Sequence, residues 1–389
     1  MKREKSGLQR DVAVSRRQGN QLAPHVLFAG GETGGQLFPG LAVAESLRQL
    51  LPHIQITFAG SGSRIERLEA AAAGFAYRSL PCPPWPITWK GVWHYLKAQR
   101  NAVHATRALI RQTGVAAVVG LGGAASLPIA RAAIREGLGV ALLEPNAVPG
   151  KATRKLCHTA SLVCLSFAAS RHLVSAAGRV RITGGPVRLF RSAGVADQPK
   201  DPRILITGGT WGAEDLNHAV PRALYKAGRS IRPWQIIHQS GPDHVEATRE
   251  LYKKFAIRAH VVPFLDNLPS WFSTSDLVVS RAGGATLSEL AATGVPAVLV
   301  PAPISMGDCE RLNAQCYTRA GAAVTIDSRD HGVRLDDELG MRLLPLLDDP
   351  SLRLAMGQSM SHLAFPRAAN DTALAIAELV GARPYAQVA

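Results

Sequence analysis

Two stretches of this 389-residue chain carry residues suited to chemistry on a phosphorylated ligand. Residues 280–296 read SRAGGATLSELAATGVP. Gly283 and Gly284 separate an apolar run from helix-forming sequence, with Thr286 and Glu289 just beyond. Unpaired amides and the helix dipole make such a helix start attractive to an anion. A carboxylate like Glu289 suits two adjacent hydroxyl donors, as on a ribose. Thr-x-x-Glu is also the spacing of a capping box, where both side chains serve only the helix end. The second stretch, AGGETGGQLFPGLAVA at 29–44, follows the apolar run HVLF. Gly30, Gly31, Gly34 and Gly35 would let the backbone approach a ligand closely, or would serve only a tight turn. Beside them, Gln36 can orient a hydroxyl but cannot take its proton.

The elements that must position these residues repeat. HVLFAGGETGG begins at 25 and RILITGGTWGA at 203, each an apolar strand entering a glycine turn. This spacing predicts two β-loop-α domains in tandem. Further strands are expected in QITFAG at 55–60, AAVVGLGG at 116–123, VALLEPN at 140–146 and SLVCLS at 161–166. The second half adds WQIIHQSG at 234–241, HVVPFL at 260–265, DLVVSRAGG at 276–284, PAVLVPAP at 296–303 and AAVTID at 322–327. Strands alternating with helices imply an α/β chain of two parallel sheets covered on both faces. The expected order is a basic tail (1–24), a first domain (25–189), a linker (190–202), a second domain (203–366) and a final helical segment (367–389) that crosses back. Ligands of such sheets sit at the carboxyl ends of the strands, here a cleft between the domains.

Composition narrows the class. Hydrophobic residues make up 47% of the chain, which supports a large core. The five cysteines form no CxxC pair, so neither a disulfide framework nor structural zinc is expected, and a reducing compartment is. The first 24 residues lack the apolar core of a signal peptide. The net charge of +15 is uneven: 26 basic and 9 acidic residues in 1–200 give +17, while 18 and 20 in 201–389 give −2. The first half is thus suited to an anionic partner.

Seven motifs in order, GGETGGQLFPGLAVAE, GLGGAASLPIA, EPNAVPG, GGPVR, GGTWGAEDLN, HQSG and RAGGATLSELAATGVPAVLVP, resemble the MurG family of peptidoglycan N-acetylglucosaminyltransferases over about residues 25–380. The resemblance implies two Rossmann-like domains facing a cleft, the GT-B arrangement. It implies UDP-GlcNAc on the second domain and a polyprenyl-diphosphate-linked muramyl peptide, lipid I, on the first. It implies inverting transfer with no cofactor and no metal, and the sequence has no DxD pair placed to hold a divalent ion. The donor contacts it implies are Thr33, Gly34 and Gly35 in the first loop, with Asn146 lining the cleft. Arg188 and backbone amides would neutralise leaving-group charge, and Thr210 stands where serine is usual. Leu265 would meet uracil through its backbone. Gly284, Ala285, Thr286, Leu287, Ser288 and Glu289 would cradle diphosphate and ribose. Glu310, where glutamine is usual, would face the sugar hydroxyls as an acceptor only.

Departures gather on the acceptor side. Where Gln36 stands the family usually has histidine, a candidate general base, and Glu144 is the nearest alternative carboxylate. Glu32 is also unusual, and like charge predicts that it points away from a diphosphate. Ala124, Pro145, Thr153 and Trp211 replace the usual tyrosine, glutamine, asparagine and glutamine. Two alternatives stay open: a related transferase with another lipid or glycan acceptor, and a UDP-sugar-binding paralogue without turnover. No nucleic-acid motif accompanies the basic half, so no nucleic acid is expected.

Residues 81–100, PCPPWPITWKGVWHYLKAQR, contain Trp85, Trp89 and Trp93 interleaved with Lys90, Lys97 and Arg100. Such residues suit an anionic membrane surface, and equally a core beneath a proline-rich loop. With the MurG resemblance they imply peripheral attachment at the cytoplasmic face of the inner membrane.

Overall fold

The computed structural model describes residues 23–85, 92–175, 178–188, 201–302, 308–327 and 334–382. Most of the basic tail and of the linker lies outside them. The first domain runs β1 His25–Ala29, α1 Gly34–Leu50, β2 Gln55–Gly60, α2 Arg64–Ala72, β3 Ala76–Ser79 and α3 Val92–Thr113. It continues with β4 Val115–Gly120, α4 Gly123–Arg135, β5 Gly139–Glu144, α5 Lys151–Leu156, β6 Leu162–Leu165 and β7 Arg179–Ile182. Its sheet is parallel, in the order β3-β2-β1-β4-β5-β6-β7.

The second domain runs β8 Arg203–Thr207, α6 Glu214–Lys226, β9 Gln235–Gln239, α7 Val245–Lys254, β10 His260–Val262, α8 Leu268–Ser273 and β11 Leu277–Ser280. Then come α9 Gly284–Thr293, β12 Ala297–Leu299, α10 Cys309–Arg319, β13 Ala323–Thr325, α11 Leu335–Asp348, α12 Pro350–Ser361 and α13 Ala368–Leu379. This sheet is parallel too, in the order β10-β9-β8-β11-β12-β13.

The central strands read as unbroken apolar runs because both sheet faces are covered by helices. Every residue of β1, HVLFA, is buried. Helix α13 leaves the second domain and packs on α1, with Ala373, Ala375, Ile376 and Ala377 in the first domain's core. Arg179 and Arg181 of β7 pin its end through Glu378, at 2.7 and 2.9 Å.

Glycines mark where the domains meet. A Cβ on Gly34 would fall 2.9 Å from Thr210 Oγ1, and one on Gly284 would fall 1.8 Å from the Pro145 carbonyl oxygen. On Gly185 it would overlap Ser288. At Gly284, where the obstacle is backbone, the chain therefore needs glycine for close approach of the two halves, whereas at Gly34 and Gly185 side chains would have to move. Gly30 has a different duty. Its φ of +94° excludes most side chains, and its added Cβ would lie 2.3 Å from the Gly122 carbonyl, so it seats one first-domain loop on another.

Candidate active site

The second domain supplies an open helix start. β11 ends at Ser280, and α9 begins at Gly284 behind the N-cap Gly283, which has no side chain to offer. Thr286 is therefore the third helical residue and Glu289 the sixth. The Thr-x-x-Glu pair does not cap this helix, because it lies inside it. The first intrahelical bond to the cap runs from Leu287 N–H to the Gly283 carbonyl, at 3.0 Å. The amides of Gly284, Ala285 and Thr286 precede it and face outward along the axis. Leu287 is fully buried and anchors the turn, so only its backbone is available to a ligand.

The Glu289 carboxyl makes no hydrogen bond or ion pair among the described residues. Burial pushes its carboxyl up to about 8, with the positive charge of Arg188 pulling the other way. Arg188 is itself committed: it pairs with Glu45 at 3.3 Å and Glu69 at 3.7 Å, and lies over the Phe38 ring. Ser288 donates to the Gly284 carbonyl at 2.9 Å. Ser288 also lines a cavity of about 480 Å³ together with Phe167, Arg188, Tyr317, Leu363 and Phe365.

The second glycine turn sits beside this helix start. Gln239, at the end of β9, donates to the Gly209 carbonyl at 2.8 Å and accepts from Leu265 N–H at 3.0 Å. It thus ties the Thr210 loop to the Leu265 segment. With its N–H engaged, Leu265 has its carbonyl left to meet a base. Below, His238 bonds Tyr252 and Asn217, each at 2.9 Å, and complete burial lowers it to about 3, so this imidazole stays neutral and structural. Glu310 accepts from Ala302 N–H at 2.8 Å, which spends one carboxylate oxygen on the preceding loop.

On the first domain's wall, the loop after β5 satisfies itself. Glu144, at the end of β5, accepts from Asn146 N–H at 3.1 Å, the Asn146 amide at 3.2 Å and Gly150 N–H at 2.8 Å. The Thr153 hydroxyl also bonds it, while burial raises its carboxyl well above the usual range. These bonds fold the loop 145–150. Gln36 lines a small cavity with Glu144, and its Oε1 is buried without a hydrogen-bond partner. Glu32 turns to the start of α4 and accepts from Ala125 N–H at 2.9 Å.

One residue joins the walls. Asn313 of α10 is fully buried and accepts from Ala147 N–H at 2.7 Å. Its amide donates to Asn146 Oδ1 and to the Ala282 carbonyl, both at 3.0 Å. The Asn146 loop is thereby held against the start of α9, and Asn146 bridges domains instead of merely lining the cleft.

The pattern of the glycosyltransferase family 28 N-terminal domain matches residues 26–164, and that of the C-terminal domain matches residues 203–369. A UDP-N-acetylglucosamine–N-acetylmuramyl-(pentapeptide) pyrophosphoryl-undecaprenol N-acetylglucosamine transferase from Acidithiobacillus ferrooxidans is 36% identical, over 92% of this chain and 99% of that protein. The enzyme of the same name from Pseudomonas savastanoi pv. phaseolicola is 34% identical, over 89% and 96%. The crystal structure of MurG from Acinetobacter baumannii superposes with a TM-score of 0.71 at 28% identity, covering 91% of this chain and 99% of that one. The chain belongs to the MurG family of glycosyltransferase family 28. A Polygonum tinctorium UDP-glucosyltransferase, 16% identical with a TM-score of 0.68, shares the fold alone.

Of the donor residues that the resemblance implies, Gly34 meets Thr210 across the domain boundary, Gly284 meets the Asn146 loop, and Gln239 ties the Thr210 loop to Leu265. Sequence reasoning missed Asn313 and Gln239, although Gln239 lies inside the motif HQSG and Asn313 three residues beyond Glu310. Of the tryptophan segment, Trp89 and Lys90 lie outside the described residues, and Trp93 falls in the first turn of α3. Trp85 is spent on packing: it stacks on Tyr95 with ring centroids 6.0 Å apart, and the ammonium groups of Lys151 and Lys155 lie 5.9 and 5.5 Å from its ring centre. Solvent meets Leu96, Lys97 and Arg100 instead.

Proposed function

We propose that this chain transfers N-acetylglucosamine from UDP-GlcNAc to lipid I, the polyprenyl-diphosphate-linked muramyl pentapeptide, forming lipid II for peptidoglycan. The observation that carries this reading is the unpaired Glu289 carboxyl beside the uncapped start of α9, in a chain of this family. The uridine diphosphate lies on the amides of Gly284, Ala285 and Thr286, where the helix dipole offsets its charge. Glu289 accepts from the ribose diol, and the Leu265 carbonyl accepts from the uracil ring N–H. Thr210 and Gly34 close on the diphosphate from opposite walls.

The acceptor hydroxyl attacks the anomeric carbon from the face opposite UDP, so configuration inverts. Preorganised amides stabilise the charge that grows on the leaving diphosphate, with no reorganisation at the moment of reaction. Arg188, shared between Glu45 and Glu69, holds α1 and α2 near this centre and biases the local field. A lipid-linked acceptor requires docking at the membrane. No helix among the described residues is long and apolar enough to cross one. The basic first domain, with exposed Leu96, Lys97 and Arg100, rests on anionic lipid at the cytoplasmic face of the inner membrane.

UDP release from UDP-GlcNAc, measured with a short-chain lipid I analogue, tests the reading. Acceptor-dependent turnover is expected. Tight UDP binding with no release on any acceptor would instead make the chain a nucleotide-sugar-binding paralogue.

A further inference from the structure

We propose that Glu32 takes the proton from the attacking acceptor hydroxyl. The inference rests on the transfer reaction above and supplies the group that reaction lacks. Gln36 cannot accept a proton at neutral pH, and the other carboxylates named around the cleft are engaged or stand on the donor side. Both oxygens of Glu144 receive donors from their own loop. Glu45 and Glu69 pair with Arg188. Glu310 holds Ala302, and Glu289 stands on the ribose side.

Glu32, on the first domain's wall beside Gln36, has one oxygen anchored and one nearly free. Its Oε1 accepts from Ala125 N–H at 2.9 Å, whereas Oε2 has only a long contact with Ala124 N–H at 3.4 Å. That free oxygen converges with Gln36 over Gly123. A Cβ placed on Gly123 would lie 2.9 Å from Gln36 Oε1 and 3.3 Å from Glu32 Oε2. Two acceptor oxygens within 3.3 Å of that one point, one of them buried without a partner, form a site for a donor. An entering hydroxyl supplies it. If the Gln36 amide is turned end for end, its NH₂ steadies the Glu32 carboxylate instead, and Glu32 keeps a lone pair for the proton.

Location agrees. Glu32 is two residues from Gly34, which abuts Thr210 of the donor wall. The Cys82 thiol and Tyr95 phenol also face it: burial chiefly raises both, and the Glu32 charge adds to each rise, with Arg131 opposing it at Tyr95. In the step itself, the acceptor oxygen bonds to the anomeric carbon as the bond from that carbon to the diphosphate breaks. The electron pair leaves with UDP, and the hydroxyl proton passes to Glu32 Oε2, which later returns it to water.

The test is Glu32→Gln in the full chain with UDP-GlcNAc and the short-chain lipid I analogue. The amide oxygen still accepts from Ala125 N–H, so α4 stays anchored. We expect kcat to fall at least about 100-fold, within the span of general-base contributions, while UDP affinity holds within about twofold. Adding Gln36→His to Glu32→Gln restores about tenfold or more, with an acid limb in kcat near the imidazole range of about 6.5. A kcat for Glu32→Gln within about threefold of wild type, against that expected loss, overturns the inference. So does a loss that histidine does not recover and that accompanies a lower melting temperature, since Glu32 then only caps α4. A wild-type chain without turnover overturns the proposed function, and this inference with it.

Discussion

Glu144 and Glu289 are two carboxylates that burial makes harder to ionise, placed in opposite circumstances. Glu144 receives donors on both oxygens from the loop it organises. Glu289, with the bare helix start beside it, receives none among the described residues. A buried polar group is stable when its partners are built in, and costly when they are not. The loop that Glu144 organises is thus self-contained scaffolding, whereas the start of α9 is left incomplete for a ligand to finish. The departures from the family pattern at Gln36, Ala124, Pro145 and Thr153 fall in the first domain, and those at Thr210, Trp211 and Glu310 in the second.

The sharpest way to break this contrast is Glu144→Ala. It strands the Asn146 and Gly150 N–H groups in a buried loop, each unsatisfied donor costing about 1–3 kcal/mol. We expect a stability loss of about 3 kcal/mol or more by urea denaturation, and turnover reduced beyond detection. Unchanged stability would show that the loop does not depend on this residue. Asn313→Ala comes next, because it leaves Ala147 N–H unpaired and parts the loop from α9. A loss of about 2–3 kcal/mol is expected, with KM for UDP-GlcNAc raised more than kcat is lowered. An unchanged KM would mean that the bridge does not align the donor wall.

The open side predicts the reverse pattern, loss of ligand without loss of fold. Glu289→Gln should weaken UDP binding about tenfold by calorimetry while leaving the melting temperature unchanged or higher, since an ionisable group has left an unfavourable site. A fall in stability would make Glu289 scaffolding like Glu144. The smallest effect belongs to Gly34→Ala. The new methyl must displace Thr210 Oγ1 and the edge of the Phe38 ring, both side-chain atoms, so KM for the donor should rise only about threefold. A rise of about a hundredfold would mean that the backbone at this crossing cannot yield.

Much of this was legible in the sequence, for reasons particular to each element. The buried strands showed as apolar runs, and the glycine turns showed where domains or ligands crowd the backbone. β3 and β7 went unread because they are sheet edges, exposed along AYRS and RVRI, and lack that pattern. The Thr286–Glu289 spacing admitted a capping box because the helix start was ambiguous by three residues. The N-cap at Gly283 removed that option. Asn313 was invisible for another reason. Its partner Asn146 lies 167 residues away, and no local spacing records such a bond. Trp85 shows the limit of composition, since a tryptophan near lysines serves a core or a membrane equally well until packing decides.

The account stands most directly on where the nucleotide binds. Titrate UDP at pH 7 in two buffers of different ionisation heat, with wild type and Glu289→Gln. The free carboxyl, raised to about 8, is mostly protonated at this pH, and ribose hydroxyl donors favour the ionised form. Binding should therefore release close to one proton more in the wild type than in the variant, and affinity should rise with pH up to about 8, then level. Equal proton release and equal affinity in the two proteins would contradict the placement of UDP at α9.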